Sequence, residues 1–169
     1  MLNQLITSKT RLRLLIKFFV SQANKGHLNG LATEMGESTN AIRKELNHLF
    51  EAGYLKKNKS NNRIEYQANS QHPLFETLQK VVLKHLGLED IVSGVLERIG
   101  AVKSIILIGD YAQGIDSGAI EVFLVGDSLN TDYVNQLETK IEAVIERKVH
   151  FYLTQQFNFN QNHIVLYED

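Results

Sequence analysis

Apolar side chains return at helical spacing in six stretches of this chain, separated by short apolar runs and polar breaks. Lys9 to Ser21 is predicted helical, with Leu12, Leu15, Ile16 and Phe19 forming one stripe and Ser8 or Thr10 able to cap its start. Leu28, Leu31, Ala32 and Met35 mark a second, shorter helix, and Gly36-Glu37-Ser38 a tight turn after it. A third helix is predicted from Thr39 to Ala52 with Ser38 as its N-cap. Its faces separate: Ile42, Leu46, Leu49 and Phe50 inward, Asn40, Arg43, Lys44 and Asn47 outward. Gly53 ends it. Tyr54–Lys57 and Arg63–Tyr66 are predicted as short strands flanking the polar turn Asn58 to Asn62.

Beyond Pro73, the only proline, Leu74, Phe75, Leu78, Val81, Val82, His85 and Leu86 follow helical spacing. Leu88 to Ile99 predicts another helix, burying Ile91, Val92, Val95 and Leu96. Ser104 to Ile108 and Ile120 to Val125 are continuous apolar runs, as in strands covered on both faces. Asn130 to Glu146 is amphipathic, with Val134, Leu137, Ile141, Val144 and Ile145 inward. Val149–Leu153 and Ile164–Tyr167 complete a small α/β unit. Thr154 to Asn162 is expected to be a long connection with Phe157 and Phe159 tucked beneath it. The expected fold class is α+β with two domains: 1–72, a linker helix over 73–87, and 88–169.

Charge sharpens this division. The net charge is −1, yet residues to His72 hold 11 Lys+Arg against 5 Asp+Glu, and residues from Pro73 hold 7 against 14. Such a split suggests two domains with different partners. The absence of cysteine excludes disulfides, thiolate metal sites and thiol catalysis, and fits a reducing cytoplasm. No apolar run reaches the roughly 20 residues of a membrane span, so no membrane partner is expected. Among His27, His48, His72, His85, His150 and His163, no two stand at i, i+4 on one helix, and no metal site is expected from them.

The basic half has the order of a winged helix-turn-helix: three helices, then a basic hairpin. The third helix would offer Ser38, Thr39, Asn40, Arg43, Lys44 and Asn47 to a major groove, where Arg and Asn can pair bidentately with guanine and adenine. Lys56, Lys57, Lys59 and Arg63 on the hairpin would lie along phosphates. An ordinary solvated helix face would also carry Arg, Lys and Asn, so the hairpin is what favours double-stranded DNA as partner. The linker helix supplies a seam for a homodimer, or else packs on the chain's own domains.

In the acidic half, Leu107-Ile108-Gly109-Asp110 followed by Ala112-x-Gly114 and Ile120-Glu121-Val122-Phe123-Leu124-Val125-Gly126 resembles a minimal nucleotidyltransferase domain. With the preceding segments, nearly the whole chain resembles a type of prokaryotic regulator joining an ArsR-like winged helix to such a domain. The resemblance implies a Gly-Ser turn and an Asp-x-Asp strand holding Mg²⁺ at a nucleotide's phosphates. Here Asp110 stands after Gly109, and Ala119 and Glu121 take the two Asp positions. A third carboxylate is missing, since Lys148, His150 and Tyr152 share one strand face and Val149, Phe151 and Leu153 the other. One Glu is a poor anchor for Mg²⁺, so no catalytic residue, metal or other cofactor is expected. Asp110, Asp116 and Glu121 could gather a loop cation, or be solvated acids. The chain therefore reads as a cytoplasmic DNA-binding regulator with a degenerate domain for dimerisation, partner binding or effector sensing. The alternative is an enzyme that transfers a nucleoside monophosphate to protein or RNA, as in toxin–antitoxin pairs.

Overall fold

Residues 2–169 are described by a computed structural model of the chain. They form α helices and two separate β-sheets, an α+β arrangement. Contacts gather them into two units that part inside one helix, between Val82 and Leu83.

In the first unit a single turn, α1 (Leu2–Leu5), precedes α2 (Lys9–Phe19). Of the two expected caps, Ser8 is used: its hydroxyl oxygen accepts from the Arg11 N–H at 3.2 Å. The expected single stripe on α2 is too narrow. Leu14 and Phe18 are as buried as Phe19, while Leu12 stays half-buried. A helix apolar on several sides is enclosed on several sides. Even Lys17 is buried, its ammonium 2.8 Å from Glu34. A three-residue strand that periodicity is too short to reveal, β1 (Lys25–His27), then leads into α3 (Leu28–Met35).

Gly36 closes α3 at φ 62°, a left-handed position where a Cβ is costly. Ser38 then caps α4 (Thr39–Glu51), accepting from the Ala41 N–H at 3.1 Å. Ile42, Leu46 and Leu49 are buried, but Phe50, expected inward, is 38% exposed. Glu45 takes a buried place instead, held by Arg11 at 2.8 Å and by Ser8. The strands β2 (Leu55–Ser60) and β3 (Arg63–Ala68) are longer than expected. Ser60 pairs directly with Arg63, so the loop is only Asn61-Asn62, at φ 49° and 63°. Two residues at positive φ make the type I′ turn that matches strand twist, and asparagine tolerates it. The sheet order is β1-β3-β2, antiparallel throughout.

Pro73 lies in the turn before α5 (Phe75–Leu86), not in its first helical turn. Phe75, Val82 and Leu86 are buried on α5, whereas Leu74 before it and Val81 on it stay exposed.

The second unit begins within α5 and continues as α6 (Leu88–Arg98) and β4 (Gly100–Ile108). A one-turn helix α7 (Gly109–Ala112), β5 (Ala119–Leu129), α8 (Thr131–Ile145), β6 (Lys148–Thr154) and β7 (Ile164–Glu168) follow. The sheet order is β6-β5-β4-β7. β4 runs antiparallel to both neighbours, and β5 and β6 are parallel, joined through α8 as parallel neighbours require. Ile105 to Ile108 are all buried, the covering on both faces that the apolar run implies. Leu96 and Val144, both expected inward, are 41% and 66% exposed. Ile91, Val95, Leu137, Ile141 and Ile145 already fill the helical faces that reach the core.

Candidate functional site

The outward residues of α4 meet the hairpin across a groove of about 450 Å³. Arg43 and Asn47 line it from the helix, and Lys57, Asn62, Arg63, Ile64 and Tyr66 from the hairpin. His27 and Asn29 close its end. Of the ten residues expected at a DNA surface, four share this groove: Arg43, Asn47, Lys57 and Arg63. Asn40, Lys44, Lys56 and Lys59 are exposed outside it. Ser38 and Thr39 are exposed at the start of α4, where the Ser38 oxygen is occupied by capping.

The hairpin carries its cations on both faces. Lys57 and Lys59 alternate with Lys56 and pair across the ladder with Tyr66 and Ile64, on the face that continues the buried Leu55 and Ala68. Lys56 and Arg63 lie on the other face, with Glu65 and Gln67. A single flat run of phosphates therefore cannot meet all four at once. Lys57 is held over the Phe50 ring, 4.0 Å from its centroid, which accounts for the outward turn of Phe50. Burial raises the Tyr66 phenol pKa, and the nearby positive charge of Arg43 works against that rise.

Ion pairing sorts the charges of this unit. Arg11, Arg13, Lys17 and Lys25 pair with Glu45, Glu37, Glu34 and Glu65. Among the described residues, Arg43, Lys44, Lys56, Lys57, Lys59 and Arg63 have no carboxylate within ion-pair distance. Up to His72 and apart from Lys9 on α2, the charge without a carboxylate partner thus gathers on α4 and the hairpin. The residues that sequence reading misses here are His27 and Asn29, brought in by the hidden strand β1, and the Arg63 guanidinium lies 3.4 Å from the His27 ring.

In the second unit the glycine turn follows β4. Gly109 stands at φ 69°, and the space a Cβ would need is filled by the Glu121 carboxylate. Alternation along β5 puts Ala119, Glu121 and Phe123 on one sheet face, with Lys148, His150 and Tyr152 beside them on β6. Tyr152 donates to Glu121 at 3.0 Å, and this bond raises the phenol's pKa. Asp110 is exposed on α7. Phe123 packs on Tyr152, Phe157 and Phe159 with centroids 4.9–5.4 Å apart. The Phe157 ring is tucked in as expected, but Phe159 is largely exposed. Among the described residues no three His, Asp or Glu side chains converge as metal ligands.

Asp116 is neither a cation ligand nor a solvated acid. Arg147 grips it with two nitrogens, at 3.0 and 2.7 Å, and the buried Tyr111 hydroxyl donates to it as well. Tyr111 in turn accepts the Gly118 N–H at 2.9 Å. Burial pushes the Asp116 carboxyl up, but the Arg147 fork and the Tyr111 hydroxyl outweigh it and hold the pKa below its ordinary value. Burial and the same hydrogen bond push the Tyr111 phenol far up. Arg147 also donates to the carbonyls of His85 and Ile145, so one guanidinium ties the loop before β5 to the ends of α5 and α8.

No protein-family model matches this chain, and no curated protein matches it. Two solved structures do. One is the AntR antimony-specific transcriptional repressor, 21% identical, covering 53% of this chain and 77% of its own, with a TM-score of 0.39. The other is Sso10a-2, a DNA-binding protein from Sulfolobus solfataricus, 13% identical, covering 53% of this chain and 90% of its own, with a TM-score of 0.36. At such TM-scores neither likeness decides the fold. No helix among the described residues is long and apolar enough to cross a membrane.

Proposed function

We propose that the first unit is a winged helix-turn-helix that binds double-stranded DNA, and that the protein is a transcriptional regulator. The observation that carries this reading is the placement of six cations without a carboxylate partner on α4 and the hairpin, while four of the other five basic residues up to His72 are paired with glutamates. Cations without partners on one exposed surface are what a phosphate backbone neutralises. α4 supplies the helix for the major groove and the hairpin supplies the wing.

The second unit serves, on this reading, as a nucleotidyltransferase-like scaffold used for binding, not catalysis. At the two positions where the motif's Asp pair would stand, the one carboxylate, Glu121, is already engaged by Tyr152, and Ala119 offers no ligand. Phosphoryl chemistry needs charge stabilisation at the reacting oxygens, which this face does not offer. The regulator acts as a homodimer through the apolar stripe of Leu74, Leu78 and Val81, since two half-sites on DNA favour a twofold protein.

Anisotropy of a labelled mixed-sequence duplex, titrated with the full chain at rising salt, tests the DNA reading. The logarithm of affinity is expected to fall with that of salt at a slope of about −2.7 to −3.6 per protomer, the value for three or four phosphate contacts. Affinity indifferent to salt, or none at low salt, would overturn it.

A further inference from the structure

The geometry points to Arg43 as the residue that determines sequence choice, reading a guanine, with Asn40 as its positioning residue and not a base reader. This rests on the DNA-binding reading of the first unit.

The chain's other arginines have their nitrogens committed or their charge facing elsewhere. Arg11, Arg13 and Arg147 are paired with Glu45, Glu37 and Asp116. Arg98 lies over the Tyr133 ring, and Arg63 lies against His27. Arg43 shares the groove and the lack of a carboxylate with Arg63, and differs from it in being carried on α4. It lines the groove between α4 and the hairpin, and no carboxylate cancels its charge. One of its terminal nitrogens, Nη1, donates to Asn40 Oδ1 at 2.9 Å, one helical turn earlier. A neutral amide acceptor fixes the guanidinium without neutralising it, and the remaining N–H donors stay open. A guanidinium is planar and cannot lose its proton, and its fork matches the O6 and N7 acceptors of guanine. Holding it in advance lowers the rotamer entropy lost on contact.

Asn40 is oriented by this arrangement: its carbonyl oxygen accepts from Arg43, and turning the amide to adenine for a bidentate contact would release the guanidinium. Lys44 stands outside the groove and is a point charge, suited to phosphate and not to choosing a base. Within the groove, Arg43 is the helix-borne group able to make two hydrogen bonds from one rigid fork to a guanine edge, one turn before Asn47.

The test is selection of duplexes from a random pool by the full-length protein, sequenced after binding, for wild type and the variants Arg43→Ala, Asn40→Ala and Lys44→Ala. Wild type is expected to select a guanine at one position of each half-site. Arg43→Ala is expected to lower the guanine preference there about 5- to 150-fold and to leave the other positions alone. Asn40→Ala is expected to weaken the same preference about 2- to 10-fold, with the thermal midpoint unchanged. Lys44→Ala is expected to weaken every duplex alike. A guanine preference that survives Arg43→Ala, or the lack of one in wild type, would overturn the assignment while leaving DNA binding intact. An Asn40→Ala variant with full guanine preference would overturn the positioning role. A wild-type protein that retains no duplex at low salt would instead remove the DNA-binding reading itself.

Discussion

Ser38 spends its hydroxyl oxygen on the first turn of α4, so its replacement acts on the helix before it acts on any ligand. Ser38→Ala is expected to lower unfolding free energy by about 1 kcal/mol, read from the midpoint of urea denaturation at unchanged slope. Asp116 makes a second prediction at this scale. Its pKa in the folded state lies below the unfolded value of roughly 3.9, so its contribution to stability is complete above that pH. The contribution is lost as pH falls through the lower, folded value. Asp116→Asn should therefore be less stable than wild type near neutrality, and the two should converge as pH falls through the folded value, followed by thermal melting. Unchanged melting at neutral pH would show that the Arg147 fork does nothing for stability. Neither the fork nor the buried Tyr111 is visible in sequence, because 31 residues separate Asp116 from Arg147. Ser38 is visible, because a cap and its helix are neighbours in the chain.

At the scale of elements, the helices were legible and their depth was not. A helix over Thr39 to Ala52 could be read from period and cap, one residue past its end at Glu51, yet Phe50 turns outward to receive Lys57, a residue on another element. Leu96 and Val144 keep the right period and still miss the core, since period defines a face but not how wide a strip the neighbouring sheet covers. The strand β1 was illegible because three residues cannot express an alternation. The hairpin shows the reverse: its asparagines announce a turn, and only the register fixes it at two residues. Asn62→Val should cost about 1–2 kcal/mol by forcing a β-branched residue to positive φ, whereas Asn62→Gly should be tolerated, both read from thermal midpoints. The opposed faces of the same hairpin predict unequal roles for its lysines. Replacing a lysine that meets a phosphate should reduce the salt slope by about one, and Lys57→Ala and Lys56→Ala should differ in this measure.

On the scale of the whole molecule, the opposed charges of the two halves were readable by counting, and the two units part between Val82 and Leu83, within the stretch 73–87 expected to be a linker helix. The proposed dimer is tested here. Leu78→Lys, in the middle of the stripe between Leu74 and Val81, is expected to yield monomers in sedimentation and weaker binding to paired half-sites, with single half-sites unaffected. A wild-type chain that sediments as a monomer at all concentrations would set the seam aside.

Sequence by itself determined what depends on near neighbours and on composition: helix periods, caps, turn residues, the charge split, and the lack of a carboxylate at Ala119 and along Lys148–Thr154. Tertiary structure alone decided which cations are cancelled by carboxylates far along the chain, which apolar residues reach a core, and that Arg43 and not Asn40 lines the groove. The reason is physical. Local conformation follows from torsions and hydrogen bonds within a few residues, whereas burial and charge compensation depend on groups that meet only when distant segments pack.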